Sequence, residues 1–310
     1  MKKRISIVVP TFNEEENVLP LYEAVMAQLA ALPAYEHELL FIDNASTDAT
    51  RAHIEGLCAR DGRVRAIFNA ANFGQFSSPY HGLCAATGDC AILLCADFQD
   101  PVEMIPALVA KWEEGHRVVC AVKESSRENP LVRFARTCFY KLLRATSNVN
   151  HIPHFTGFGL YDQSFLAILR EIRDPAPFLR GIVAEYAKDP AILPYEQQKR
   201  RAGKSSNNFF SLYDAAMLAF TTYTKAPIRA MTALGVLMMI ASLTGGVFAL
   251  VRALTGATWQ LLALLCSIGF VGAANLLAIS VIGEYLLTQR RKSPTRPRVV
   301  EERRINFDKT

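Results

Sequence analysis

The sequence predicts an α/β fold on a doubly wound, mostly parallel sheet tied to a membrane, and three observations predict it. Five short runs rich in Val, Ile and Leu, at 5–9, 38–43, 64–69, 90–97 and 118–122, show little polar alternation. That is the pattern of strands buried on both faces. Between them lie apolar residues at helical spacing, such as Leu19, Tyr22, Val25, Met26 and Leu29, or Ile105, Leu108, Val109 and Trp112. Strand and helix alternating about every 25 residues imply crossover connections and a largely parallel sheet. The third observation is that 230–283 holds one charged residue, Arg252, in 54, which no water-soluble surface allows.

Ligands bind such sheets at the carboxyl ends of the strands. Those positions read Pro10 to Glu14, Asp43 to Ser46, Asn69 to Gly74 and Asp97 to Asp100, so four of the five strand ends carry acids or amides. From 129 to 199 the pattern is less regular, with a helix near 131–146, a polar segment at 148–154, and Gly157 to Asp162 ahead of another helix. This stretch reads as the acceptor-side half of the same domain. In 207–224, Phe209, Leu212, Tyr213, Ala216, Met217, Phe220 and Tyr223 share one helical face. Such a helix either lies in the membrane interface or packs on the soluble core.

Stretches 230–251 and 259–283 give 22 and 25 uncharged residues, each enough for the ~20 that cross a bilayer core. The turn between them, 252–258, is short, so the pair reads as a hairpin with both flanks on one side. Arg290, Arg291, Lys292, Arg296 and Arg298 against Arg252 alone put those flanks in the cytosol by the positive-inside rule. The organisation expected is a catalytic domain at 1–204, an amphipathic juxtamembrane helix at 205–229, the hairpin within 230–287 and a basic cytosolic tail at 288–310.

Up to residue 229 the 310-residue chain balances 25 Lys and Arg against 25 Asp and Glu, and its net charge of +5 comes from Arg252 and the tail, with 8 against 4 from residue 284 on. A nucleic-acid surface is disfavoured on that balance. Seven cysteines without a CxxC pair suggest neither zinc nor a disulfide framework and fit a reducing cytosol. The apolar run 5–9 is too short for a signal-peptide core, so the soluble part is expected to stay inside the cell.

In order along the chain come a strand, Pro10-Thr-Phe-Asn-Glu14, a strand ending in Asp43, and Asp97-Phe-Gln-Asp100-Pro101. This set resembles the family-two glycosyltransferases of the GT-A fold, a Rossmann-like architecture. With the two C-terminal spans and Arg200-Arg-Ala-Gly-Lys-Ser205, it is similar to their polyprenyl-phosphate glycosyltransferases, such as the dolichol-phosphate mannose synthases and bactoprenol glucosyltransferases. The resemblance covers essentially the whole chain. It implies that Pro10, Phe12, Glu14 and Asp43 wrap the nucleotide, with Asp43 on base or ribose. On their own residues, Asp43 could equally be a helix cap in competition with Ser46 or Thr47, and Glu14 to Glu16 could simply favour a helix N-terminus. Asn72-Phe-Gly74 resembles the family's Asn-x-Gly turn.

Asp97 and Gln99 match the second Asp and the Gln of the family's Asp-x-Asp-x-Gln motif, which implies that they ligate Mg²⁺ or Mn²⁺; Cys95 stands where the first Asp would be. Arg200 matches a diphosphate-binding arginine, Lys123 the basic position after the fifth strand, and Arg127, Lys204 and Ser205 are the candidates for the lipid phosphate. The bland alternatives are a lipid-binding basic flank for 199–204 and a solvated turn for Lys123. Thr156 replaces the acid of the family's Gly-Asp-Phe-Arg-Leu motif. The nearest spare carboxylate is Glu185, either a stand-in base or a structural residue. His151 and His154 read as loop residues.

The resemblance implies a membrane-bound, inverting, metal-assisted enzyme of the bacterial inner membrane. It would move one sugar from a nucleotide-sugar, expected to be a UDP-sugar, to undecaprenyl phosphate. A homo-oligomer is consistent with it. A phosphate acceptor with a second pKa of ~6 is largely a dianion at neutral pH and needs no protein base. The rival readings are a processive polysaccharide synthase, for which two spans are too few to enclose a channel, and a non-catalytic nucleotide-binding partner in a membrane complex.

Overall fold

The computed structural model describes residues 2–125, 149, 151–172, 174, 177–202 and 297–307, with scattered positions between 217 and 286. The chain divides into two compact units, Met1–Tyr140 with Val149–Leu212 and Lys292–Thr310, and Lys141–Asn148 with Tyr213–Arg291.

The first unit is built on an eight-stranded sheet. Its strands are β1 (Arg4–Thr11), β2 (Glu36–Asp43), β3 (Val64–Asn69), β4 (Cys90–Leu93), β5 (Val118–Ser125), β6 (Phe155–Asp162), β7 (Ala191–Glu196) and β8 (Glu301–Ile305). They lie in the order β7-β5-β6-β4-β1-β2-β3-β8. Pairs β1–β2, β1–β4, β2–β3 and β5–β7 are parallel, and β6 and β8 run against their neighbours. The mostly parallel sheet expected from the apolar runs is therefore present as a mixed sheet.

Helices α1 (Val18–Ala30), α2 (Thr50–Arg60), α3 (Gly74–Ala85), α4 (Ile105–Glu113), α5 (Gln163–Glu171) and α6 (Leu179–Tyr186) cover its faces. Because β1 and β2 sit at the centre, both faces of each must be apolar. Ile5, Ile7 and Val9 pack into one core with Leu21, Val25 and Leu29 of α1, while Val8, Leu40 and Ile42 join Tyr80 and Leu83 of α3 in the other. That two-sided burial is the physical origin of the unalternated runs.

Three expectations need correction. The fourth run, 90–97, leaves the sheet after Leu93: Leu94 N–H still reaches Val8 O at 3.0 Å, and the chain then curls so that Cys95 N–H bonds the Asp100 carboxylate at 3.2 Å. Strand β6 falls where the sequence suggests no strand, only the stretch Gly157 to Asp162 ahead of a helix. Its Gly159 is required because a Cβ there would stand 2.3 Å from the Val119 carbonyl oxygen. The tail expected at 288–310 as a separate basic segment instead supplies β8, antiparallel to β3. Its arginines are anchored: Arg303 pairs with Glu55 and lies over Phe68, and Arg304 pairs with Glu301.

In the second unit the described positions include Leu237, Ile268, Phe270, Ile279 and Leu286, all more than half exposed, and the Tyr285 hydroxyl donates to the Thr224 carbonyl. Among the described residues no helix is long and apolar enough to cross a membrane. Most of the amphipathic helix and of both expected spans lies outside the described residues.

Candidate active site

Four adjacent strands, β4, β1, β2 and β3, end at one edge of the sheet, and each is followed by a residue in the left-handed region: Phe98 (φ 60°), Asn13 (φ 55°), Ala45 (φ 64°) and Gly74 (φ 83°). For Gly74 that backbone costs little. For Phe98 and Ala45 it is strained, and strain of this kind persists where surrounding contacts enforce it and gathers at functional sites.

The enforcing contacts are visible between the first two loops. Asn13 N–H donates to Ser46 Oγ (2.9 Å) and Glu14 N–H to Thr50 Oγ1 (2.8 Å). In return Asn13 Oδ1 accepts from Thr47 N–H and Glu15 Oε2 from Ala49 N–H, both at 2.9 Å. Each loop satisfies the other's orphan amides, including those ahead of α2.

Asp43 is fully buried. Its carboxylate accepts from Ser46 N–H (3.1 Å), Ser46 Oγ (2.5 Å), Thr11 Oγ1 (3.4 Å) and Arg51 Nε (2.9 Å). It thus holds the turn and an arginine that sequence reasoning missed. Also missed was Asn44, whose side chain accepts from Asn69 and the Phe73 amide and donates to Asn72 Oδ1 at 2.8 Å, joining the ends of β2 and β3. Arg51 belongs to no periodic pattern or short motif, and Asn44 stands out only as part of the strand end Asp43 to Ser46; pairing across the sheet gives both their partners.

The other half of the site forms around Arg200. After β7 the chain runs back along the loop that follows β4: Gln198 N–H bonds Gln99 O at 3.4 Å and Arg201 N–H bonds Asp97 O at 3.2 Å. This ladder delivers Arg200 between two carboxylates, with its guanidinium 3.1 Å from Glu14 Oε1 and 3.1 Å from Asp97 Oδ2. Asn17 donates to the other oxygen of Glu14 at 2.6 Å, and Gln99 N–H to the other oxygen of Asp97 at 3.1 Å. Arg201 lies over the strained Phe98 ring at 5.2 Å. Residues 97 and 200, 103 apart in sequence, thus form one charged cluster with Glu14.

Burial pushes Glu14 above the usual carboxylate range, against the opposing pull of Asn17 and Arg200. Asp100 is raised by burial too; its carboxylate turns inward to the Cys95 amide and to Tyr195 Oη at 3.1 Å. Cys95 keeps exposed surface at the start of the loop that follows β4. Desolvation there, then Asp100, Asp97 and Glu14, hold its thiol well above the ordinary range, so it stays neutral. That decides the fit of a divalent cation. Two carboxylates already converge on one cationic group, Arg200, which shows that the locus accepts positive charge, and Asp97 with Gln99 can supply hard oxygen ligands. A neutral thiol contributes nothing to Mg²⁺. Among the described residues no set of three His, Cys, Asp or Glu side chains is arranged to hold a metal.

Of the remaining candidates, Pro10 sits in β1 opposite Ile42, and Phe12 is 37% exposed at the site's rim. Lys123 pairs with Tyr195 across β5 and β7, and its amide bonds His154 O at 3.4 Å. Glu185 is exposed near the end of α6, where its charge acts on Tyr186, and it is not among the partners of the Glu14–Asp97–Arg200 cluster. Burial lowers the pKa of His151. Arg127, Lys204 and Ser205 lie outside the described residues. A cavity of about 310 Å³ lined by Arg4, His37, Arg63 and Arg65 opens at the opposite end of the sheet, where Arg4 pairs with Glu36, Arg65 with Glu38 and Arg63 with Asp61. Its arginines are committed to structure.

The family model "Glycosyl transferase family 2" matches residues 6–186. The chain belongs to that family. It is 30% identical over 303 residues to the prophage bactoprenol glucosyl transferase homolog of Escherichia coli strain K12, covering 97% of this chain and 99% of that one. It is also 30% identical over 298 residues to the bactoprenol glucosyl transferase of Shigella phage SfX, covering 95% and 97%. Among solved structures it is similar to mannosyl-3-phosphoglycerate synthase from Rubrobacter xylanophilus, at 18% identity and a TM-score of 0.49 over 69% of this chain and 71% of that one. The match ends at residue 186, ahead of Arg200.

Proposed function

We propose that this glycosyltransferase moves one sugar from a nucleotide-sugar, a UDP-sugar in the first instance, to polyprenyl phosphate at the cytosolic face of the bacterial inner membrane. The observation that carries the reading is the meeting of Arg200 with Glu14 and Asp97 at the carboxyl ends of the strands. Similarity to bactoprenol glucosyl transferases along nearly the full length supports the acceptor.

The chemistry then follows from charge. When the glycosidic bond breaks, negative charge grows on the departing diphosphate, and a guanidinium can grip it at two oxygens. Arg200 is already held at the site by the backbone ladder, so little reorganisation is needed as that charge develops. Asp97 and Gln99 would hold Mg²⁺ or Mn²⁺, which would neutralise part of the same charge. The acceptor phosphate, largely a dianion, attacks C1 from the opposite face and inverts it. No general base is required, in keeping with Glu185 standing outside the cluster. Holding both substrates in line supplies much of the rate.

Membrane attachment through a hairpin at 230–251 and 259–283 is supported by composition and by the exposed apolar side chains of the second unit. Because residues 297–307 belong to the same unit as residues 2–125 and 151–202, an even number of crossings between 202 and 297 is favoured, as a hairpin requires. A cysteine at Ala257, in a background without native cysteines, should react with impermeant reagent in intact cells, and one at Thr295 should not; the reverse result defeats the orientation.

Activity is tested with radiolabelled nucleotide-sugars, membranes and polyprenyl phosphate. Lipid-extractable label carrying one sugar is expected. Insoluble polymer would indicate a processive synthase, and no label with any donor would reduce the protein to a nucleotide-binding partner.

A further inference from the structure

We infer that the C-terminal strand β8 belongs to the framework of the donor site, and that Arg51 is the positioning residue through which Glu302 fixes Asp43 and so sets nucleotide affinity. The inference rests on the donor-binding reading of the strand ends given above.

Arg51 projects from the first turn of α2, and its guanidinium serves three chain segments at once. Nε donates to Asp43 at 2.9 Å, one terminal nitrogen to Asn69 O at 2.9 Å, and the other to Glu302 at 3.0 Å. The plane lies over the Phe68 ring, 5.4 Å from its centroid. The ends of β2 and β3 are thereby clamped to a residue 251 positions further along the chain. Only a planar fork can satisfy three acceptors in these directions; an ammonium group cannot.

Asp43 makes the clamp consequential. Its carboxylate has no contact with water, and of its four donors only Arg51 carries charge. The turn it organises, Asp43 to Ser46, holds the Asn13 amide of the first loop through Ser46 Oγ, and Thr50 at the start of α2, next to Arg51, holds the Glu14 amide. Glu302 thus reaches the nucleotide-facing loops by a single relay, Glu302 to Arg51 to Asp43. The strand bearing Glu302 is seated independently of that relay: Ala70 N–H bonds Val300 O at 2.9 Å, and the Asn306 amide donates to Cys58 O and Val64 O, both at 2.8 Å. Removing the Glu302 charge therefore loosens the relay without unseating β8.

The test uses the full chain in detergent or nanodiscs, with UDP, dTDP and GDP as binding probes by calorimetry and the matching donor in turnover. Glu302→Gln should weaken nucleoside diphosphate binding and raise donor KM by about threefold to tenfold, with kcat within twofold of the parent and an unchanged melting temperature. Arg51→Lys should raise KM by tenfold or more. Because Glu302 acts through Arg51, the double variant should bind no more weakly than Arg51→Lys alone, whereas independent contributions add. Additive losses, or Glu302→Gln binding as tightly as the parent, overturn the inference while leaving the donor reading intact. A parent protein that binds none of the three diphosphates defeats the donor reading itself. Should Arg51→Lys fail to fold, Glu302→Gln compared with Glu302→Asp, which retains the charge and should recover part of the affinity, still decides the matter.

Discussion

Replacing Arg200 by Met tests the centre of the site, because it removes the cation that Glu14 and Asp97 share while keeping most of the side-chain volume. The guanidinium is 24% exposed, and its partners Glu14 and Asp97 are 10% and 11% exposed. Two contacts at 3.1 Å are each worth about 5 kcal/mol of gross attraction at an effective dielectric of about 20. Most of that is offset by desolvation. Breaking a fully buried pair costs about 3–5 kcal/mol, and the partial exposure of Arg200 reduces this to about 2–3. For a domain of this size the melting temperature should fall by about 5–10 °C.

The loss must also depend on pH in a fixed direction. Glu14 already sits above its ordinary value through burial, and Arg200 is one of the two groups drawing it down. Without Arg200 it rises further. A carboxylate whose folded pKa exceeds its unfolded value contributes stability that is present below the unfolded pKa and lost as pH climbs through the folded one. The difference between parent and variant should therefore be largest near pH 8 and shrink toward pH 5. Melting curves across that range, read by intrinsic fluorescence with turnover measured alongside, supply both numbers. Turnover should drop by about 10²–10³, the loss seen when a group stabilising transition-state charge is removed. A difference in melting temperature that is the same at pH 5 and pH 8, or no difference at all, would refute the shared-cation argument.

Asp97→Asn should abolish activity with the fold retained, Cys95→Ser should change Mg²⁺-dependent turnover little, and Cys95→Asp should tighten apparent metal affinity. Titrations of Mg²⁺ and Mn²⁺ against activity decide this, and full activity of Asp97→Asn would sink the assignment. Glu185→Gln should lose less than tenfold in turnover, against the roughly 10²–10⁴ that loss of a working general base costs; a larger loss with donor affinity intact would make Glu185 the base. Gly159→Ala should be poorly folded, since its Cβ would meet the Val119 carbonyl oxygen at 2.3 Å. An alanine variant melting within 2 °C of the parent would show that the β5–β6 pairing tolerates more movement than its spacing implies.

The central strands were legible because burial on both faces leaves an unbroken apolar run, as in Ile5, Ile7, Val8 and Val9. Strands β6 and β7 were not, because edge and Gly-rich strands lose that signature: β7 alternates, with Ile192 48% exposed, and β6 is interrupted by Gly157 and Gly159. Glu14, Asp43, Asp97 and Arg200 were legible as candidates because each stands at a motif position, and the structure brings Glu14, Asp97 and Arg200 into one cluster. Arg51 carries no local signal, and Asn44 only that of an amide at a strand end. Their significance is a property of strand order, since β2 lies beside β3 and β3 beside β8, and order across a sheet is set by long-range packing. The turn at Cys95 to Asp100 escaped for a related reason: Asp100 bends the chain with its own carboxylate, and a strand pattern in Leu93 and Leu94 runs straight into it.

The position of β8 also imposes a timetable on synthesis. Strand β3 ends at Asn69 and its outer neighbour begins at Glu301, so the whole remainder of the chain must be made before that edge can close. At ~5–20 residues per second the wait is roughly 10–50 s. During that time β3 presents a nearly uncharged edge, Val64 to Asn69 with Arg65 as its one charge, which is a template for wrong pairing. The domain made first is therefore among the last parts of the molecule to be finished, and any failure to deliver the final residues should appear as aggregation of a domain whose own sequence is intact.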